Sequence, residues 1–140
     1  MKKYDLDFNG YWIDKDYLPH ESGVYFVYRG TYSKATDKVN PRELIYIGQA
    51  EDIYNRHHPH EKQKEFESTL QDGEILMYSL TILAKDDLDR VECGLIYKRK
   101  PRLNDKCTCS FDYPETRFVL SGACDDFYPK DFTLEAYEHC

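Results

Sequence analysis

The sequence predicts a small α+β fold, in which helices flank a three-stranded, mainly antiparallel sheet and a C-terminal extension follows. Three apolar runs of strand length, residues 22–29, 43–48 and 74–84, supply the sheet. A fourth segment, 86–98, has its apolar residues at helical spacing. Polar, turn-forming stretches separate these segments.

The length and composition suit one domain with a packed core. The chain has 140 residues, 41% of them hydrophobic and 15% aromatic. We expect residues 1–106, with an N-terminal lead-in, to form the main unit, and residues 107–140 to pack on it as an acidic extension. No run approaches the ~18 apolar residues of a membrane span. Because no apolar run follows the N-terminal lysines, we expect no membrane association and a cytoplasmic location.

The first half of the predicted unit contains two of the strands. Residues 1–21 are polar and rich in tyrosine, and we expect them to pack as a lead-in. Residues 22–29 are apolar on both faces, which favours a strand buried on both sides. The glycine, asparagine and proline residues of 30–42 predict a loop inserted before the second strand, 43–48.

Helices are expected to dominate the rest of the unit. Acidic residues within 49–52 open a first helix that carries Arg56 near its end. Pro59 interrupts this helix and can begin another. The helical segment 86–98 ends before Pro101. In the tail, we expect a short strand at 116–120 and a short helix or strand at 131–138.

The charge distribution argues against strong non-specific binding to nucleic acid. The net charge is −7, and residues 111–140 carry seven acidic against two basic side chains. Weak affinity and dependence on salt or on a partner are therefore expected, because phosphate neutralisation carries much of the affinity in such proteins.

The five cysteines are expected to be reduced thiols, because nothing indicates secretion. A zinc site is the alternative, although its Cys-x-Cys spacing is poor. Its ligands would come from Cys107, Cys109, Cys124, Cys140 and His139.

One carboxylate lies where a helix should be apolar. Glu92 falls on the face of segment 86–98 that also carries Leu88, Val91, Leu95 and Ile96. A carboxylate in an apolar stripe needs a partner. That partner is either an arginine at the edge of the core or a metal ion.

Two tripeptides and three later residues form a motif. Gly23-Val24-Tyr25 and Tyr46-Ile47-Gly48 each belong to a predicted strand, and Arg56, Glu92 and Asn104 follow in order. The pattern, over roughly residues 15–106, resembles the GIY-YIG nuclease superfamily. The resemblance implies that family's fold, a metal-dependent hydrolysis of DNA, and products with 3′-hydroxyl and 5′-phosphate ends.

The resemblance also implies roles for single residues. Arg56 would clamp the phosphate, which suits a guanidinium that stays charged, and Glu92 would bind one Mg²⁺ or Mn²⁺ ion. Tyr46 would act as a base or orient the water, supported by Tyr25. A phenol with a pKa near 10 is a poor base at neutral pH unless its surroundings lower that value. Each tyrosine can also be simply a core residue.

Three further positions each allow more than one role. His60 stands four residues after Arg56, where the family commonly has His or Tyr; His57 or His58 can serve instead, or all three can form a metal-binding surface patch. Asn104 matches the asparagine that closes the family's site and is otherwise a loop cap. Gln49 departs from a lysine that some members carry, which removes a positive charge.

Basic residues near the end of the long helix are a candidate DNA-binding surface or simply a solvated helix end. They are Lys98, Arg99, Lys100 and Arg102, with Lys62 and Lys64 elsewhere.

Taken together, these observations predict a cytoplasmic, metal-dependent DNA endonuclease with Tyr25, Tyr46, Arg56, His60, Glu92 and Asn104 in its site. One alternative is a nucleic-acid-binding or regulatory module with little or no turnover. Another is a nuclease subunit that depends on a protein partner bound through the acidic tail.

Overall fold

The computed structural model describes residues 1–140 and is built on one strongly curled, six-stranded mixed sheet. The strand order is β3-β2-β4-β1-β5-β6. Strands account for about 40% of the chain and helices for 20%. The strands are β1 (Lys2–Trp12), β2 (Gly23–Ser33), β3 (Lys38–Ala50), β4 (Ile75–Ile82), β5 (Thr116–Gly122) and β6 (Asp131–Leu134).

The predicted fold, a small three-stranded sheet flanked by helices, is wrong. The three expected strands exist as neighbours, because β2 pairs antiparallel with both β3 and β4. They make up only half of the sheet, however. The other half comes from β1, β5 and β6, which lie in segments that we expected to be a lead-in and an extension.

Strand β1 joins the two halves of the sheet. Its first part, Lys2–Phe8, pairs parallel with β5, and its last residues pair antiparallel with β4. Tyr4, Leu6 and Phe8 are buried, whereas the residues between them are exposed. This alternation is the signature of a strand with one buried face, so the predicted lead-in is an interior strand.

Strands β2 and β3 form a much longer hairpin than predicted. Pairing continues to Ser33 and Lys38, which leaves only residues 34–37 as a turn, so the loop predicted over 30–42 is wrong. Arg29 bonds Glu43 at 2.8 Å and the buried Glu74 at 2.7 Å. The first pair joins the two strands of the hairpin, and the second ties the hairpin to the residue that precedes β4.

The helices are few and lie on both faces of the sheet. They are α1 (Ile53–Arg56), α2 (Gln63–Ser68) and α3 (Leu88–Arg99). The break between α1 and α2 and the extent of α3 agree with the prediction. None of the helices has both the length and the apolar character needed to cross a membrane.

Two hydrophobic clusters fill the two faces. The larger contains Phe26 of β2 and much of α3, and the smaller contains Tyr25 with Ile53 and Phe66 of α1 and α2. The tail belongs to the larger cluster through four phenylalanines, Phe111, Phe118, Phe127 and Phe132. Gly94 lets α3 approach β5, since a methyl group there would collide with the Phe118 ring.

Four of the five cysteines form disulfides, which corrects the expectation of reduced thiols and the zinc alternative. Cys93 pairs with Cys107 and Cys109 with Cys140, with Cα–Cα distances of 5.3 and 5.0 Å. Both distances are ordinary for disulfides. Cys124 is free and buried.

Candidate active site

A cleft of about 260 Å³ lies along the edge strand β3. Helices α1 and α3, which lie on opposite faces of the sheet, both contact this strand. Five of the six predicted site residues line it: Tyr25, Tyr46, Arg56, Glu92 and Asn104. The sixth, His60, is hydrogen-bonded to the Tyr25 hydroxyl. Fold elements separated by up to about eighty positions in the sequence therefore meet at one place.

The two tyrosines share a face because of their register. Tyr25 on β2 lies opposite Gly48 on β3, and Tyr46 lies two residues before Gly48. A side chain on Gly48 would collide with the Tyr25 phenol. Glycine at this position therefore lets the Tyr25 ring lie across β3, with its centroid 6.4 Å from that of Tyr46.

His60 orients Tyr25. Burial and then the Arg56 charge lower the pKa of His60 to about 4, so the ring is neutral at pH 7. The backbone N–H of Lys62 donates to His60 Nδ1 at 3.0 Å, which places the ring proton on Nε2. Nε2 then donates to the Tyr25 hydroxyl oxygen at 2.8 Å, and Tyr25 keeps its own proton for another acceptor.

Neither phenol is ionised at neutral pH. Burial raises the pKa of Tyr25 far above its ordinary value. Burial and then the Glu92 charge raise the pKa of Tyr46 to about 12. Of the two roles predicted for Tyr46, water orientation fits these surroundings better than base catalysis.

Glu92 lies half-buried on the inner side of α3 with one protein hydrogen bond. Gln49 Nε2 donates to Glu92 Oε1 at 3.2 Å and to Asp89 Oδ1 at 2.5 Å. Burial raises the pKa of Glu92, although Gln49, Lys106 and Arg56 oppose the shift. The amide of Gln49 thus holds two carboxylates, one helical turn apart, beside the cleft.

Arg56 reaches the cleft from the end of α1 and is already paired. Its Nη2 lies 3.1 Å from Oε1 of Glu61, whose side chain is 72% exposed. An exposed carboxylate on this guanidinium occupies the position that a phosphate oxygen would take.

Asn104 lines the cleft and is hydrogen-bonded to the edge strand. Its side-chain amide donates to the Ile47 carbonyl and accepts from the Ile47 N–H, both at 2.9 Å. Ile47 follows Tyr46 directly, so the asparagine fixes the backbone that presents this tyrosine. Its function is therefore one of positioning.

The other two histidines of the segment do not replace His60. His57 is fully buried, its ring centroid lies 4.5 Å from that of Tyr25, and neither nitrogen has a hydrogen-bond partner. His58 stacks on Tyr54 and bonds Asp16 at 2.8 Å. Because His57 and His60 are buried and His58 is bonded to Asp16, the three rings do not form an exposed metal-binding patch.

Some lining residues were missed from the sequence. Asp105 and Lys106 follow Asn104 along the wall of the cleft. Lys62, which was predicted only as part of a basic surface, lies over the Tyr46 ring at 5.8 Å. Glu61 also lines the cleft. The adjacency of 105 and 106 to the predicted Asn104 was the only available signal, because a loop has no periodicity that assigns a direction to its side chains.

The basic helix end is occupied by contacts within the protein. Arg99 pairs with Asp126 at 2.7 Å and Arg102 with Glu43 at 3.0 Å. Lys98 lies over the Phe132 ring and Lys100 over the Tyr97 ring. These contacts favour the structural interpretation of this group, and Arg56, Lys62 and Lys106 are the cations that line the cleft.

Comparisons with protein-family models, with curated proteins and with solved structures found no match to this chain. The functional assignment therefore depends on the geometry of the cleft.

Proposed function

We propose that the protein is a divalent-metal-dependent endonuclease that hydrolyses phosphodiester bonds of DNA. The observation that carries the proposal is the meeting of Arg56, Glu92, Tyr25 and Tyr46 in the lining of one cleft. A guanidinium binds phosphate oxygens in a fixed fork, a carboxylate binds a hard cation, and neutral phenols orient water or donate hydrogen bonds.

The residues present fit a magnesium or manganese ion. Glu92 Oε2 makes no hydrogen bond to the protein, and Asp89 lies one turn away. Mg²⁺ usually takes one or two carboxylates and completes its shell with water and substrate phosphate. When bound, the ion supplies the Lewis-acid charge that polarises a phosphoryl oxygen.

The chain's own residues orient and stabilise the reacting groups. Arg56 exchanges Glu61 for a non-bridging phosphate oxygen, and the free proton of Tyr25 reaches a second oxygen. Tyr46 orients the attacking water. As the water oxygen bonds to phosphorus, the bond to the 3′ oxygen breaks; the water loses a proton to solvent and the departing 3′ oxygen takes one from solvent, leaving a 3′-hydroxyl and a 5′-phosphate.

Plasmid nicking with Mg²⁺ or Mn²⁺ tests the proposal. We expect Glu92→Gln and Arg56→Ala each to slow nicking by about 100-fold, the typical cost of one group that stabilises the transition state. Asp86→Asn and Arg117→Ala, which change the same kinds of side chain outside the cleft, should nick like the wild type.

Equal nicking by the wild type and all four variants, or nicking at the same rate without a divalent metal ion, would contradict the proposal. DNA binding without metal-dependent nicking would instead support a binding module.

A further inference from the structure

One wall of the cleft is a short segment with few attachments. This strap, residues 105–107, contributes the exposed Asp105 and Lys106 to the lining. None of its three residues makes a hydrogen bond or an ion pair with the rest of the protein. The strap is therefore held only at its two ends and by packing of Cys107 on the core.

The two ends of the strap are fixed by different means. At the first end, Asn104 holds Ile47 through two hydrogen bonds. At the other end, Cys107 is bonded to Cys93, which directly follows Glu92 on α3. One covalent link thus joins the residue after Lys106 to the residue after Glu92.

We propose that the Cys93–Cys107 disulfide positions the strap, so that Lys106 binds the DNA phosphate beside Glu92 only while the bond is intact. Lys106 and Glu92 line the same cleft, so a phosphate bound there can contact the lysine while it lies beside the carboxylate. This inference rests on the proposed nuclease function and adds both a phosphate-binding residue and a redox sensitivity to it.

The second disulfide provides a natural comparison. Cys109 and Cys140 lie outside the cleft. The segments they join also share backbone hydrogen bonds, from Cys140 N to Cys109 O at 3.0 Å and from Phe111 N to Glu138 O at 2.7 Å. Those hydrogen bonds remain when this disulfide is removed, whereas no backbone hydrogen bond holds the strap.

A small dithiol reductant frees the Cys107 end of the strap by thiol–disulfide exchange. Its thiolate attacks Cys107 Sγ, the less buried sulfur, and Cys93 leaves as a thiolate. The second thiolate of the reagent then releases Cys107. The two cysteines gain two electrons and two protons, and the reagent ends as a cyclic disulfide.

The test compares two double variants, Cys93→Ala with Cys107→Ala and Cys109→Ala with Cys140→Ala. Trypsin cleavage after Lys106, measured by mass spectrometry relative to Lys34 in the β2–β3 turn, reports on the strap without requiring activity. We expect it to rise about tenfold in the first variant and in wild type treated with dithiothreitol, but not in the second variant.

Affinities for Mn²⁺ and for a short DNA duplex are measured on the same proteins. We expect both to fall about tenfold in the first variant alone, a usual cost of losing the support of a metal site. Lys106→Gln should weaken DNA binding but not Mn²⁺ binding, since it removes the phosphate contact and leaves Glu92 unchanged.

Unchanged cleavage after Lys106, or a loosened strap with unchanged affinities, would overturn the inference. If the wild type itself bound neither Mn²⁺ nor DNA, the nuclease proposal would fall instead, and the protease result would still decide whether the disulfide holds the strap.

Discussion

Tyr25 shows how single hydrogen bonds determine what a buried phenol can do. Because His60 is neutral and accepts the Lys62 N–H, it must donate to the Tyr25 oxygen. The tyrosine proton is then directed away from the histidine and is available to a ligand. His60 acts on the cleft through Tyr25 and is a positioning residue rather than a base.

The ion pair between Arg56 and Glu61 leads to a prediction about affinity. Glu61→Gln should tighten DNA binding about fivefold, because the Glu61 carboxylate then no longer competes with phosphate for Arg56. An exposed ion pair of this kind is worth up to ~1 kcal/mol. Fluorescence anisotropy at fixed salt measures the change. Glu51→Gln breaks a similar exposed pair with Lys85 and is the control. Equal affinities for both variants would mean that Arg56 does not bind phosphate.

The buried histidines predict a stability that falls in acid. Burial first, and then neighbouring charges, lower the pKa of His57 to about 3 and that of His60 to about 4, below the ordinary value of 6.5. Below pH 6.5 the unfolded chain therefore binds more protons than the folded one, and stability decreases as pH falls toward these values.

Urea unfolding at pH 6 and pH 4.5 measures this loss, which should be about 2 kcal/mol for each histidine. His57→Phe removes one of the two buried titrating rings and should reduce the loss by about half. An unchanged loss in that variant would show that His57 does not titrate in this range.

The residues that the sequence could locate are those with a fixed spacing relative to a strand or helix. Tyr25, Tyr46 and Glu92 belong to regular elements, so their neighbours limit where each side chain lies. Glu61 and Lys106 lie in irregular segments. Their place in the cleft depends on tertiary contacts that no local pattern encodes.

At the scale of elements, the sequence contains a signal for β1 that the predicted lead-in did not take into account. Tyr4, Leu6 and Phe8 alternate with Lys3, Asp5 and Asp7, a period-two pattern. The partner of this strand was not predictable, since β5 is more than a hundred residues away and pairs in parallel. The helix α3 was predictable because its pattern and its stop at Pro101 are both local.

The role of the tail in the sheet predicts that the chain cannot be shortened there. Ending the chain after residue 110 removes β5, β6 and four core phenylalanines, so we expect an unfolded protein by circular dichroism. Tyr128→Ala, which changes a 71% exposed aromatic residue of the same tail, should fold normally. A folded and cooperative truncated chain would show that residues 1–110 suffice.

At the scale of the whole molecule, the acidic charge and the cleft are compatible. The overall charge is −7, whereas in the cleft three basic side chains, Arg56, Lys62 and Lys106, balance three acidic ones, Glu61, Glu92 and Asp105. Binding should therefore be local and sensitive to salt, with little affinity elsewhere on the surface. A divalent ion at Glu92 would shift the balance of charge in the cleft further toward phosphate.

Arg56 and Glu92 are proposed to act on the same phosphate, and a double-mutant cycle is the sharpest test of this proposal. The initial rate of Mg²⁺-dependent cleavage of a labelled duplex is measured for wild type, Arg56→Ala, Glu92→Gln and the double variant. Groups that act together on one reacting centre are strongly non-additive. We expect the double variant to be about as slow as the slower single variant, whereas two independent losses that multiply, or no loss in either single variant, would contradict a shared site.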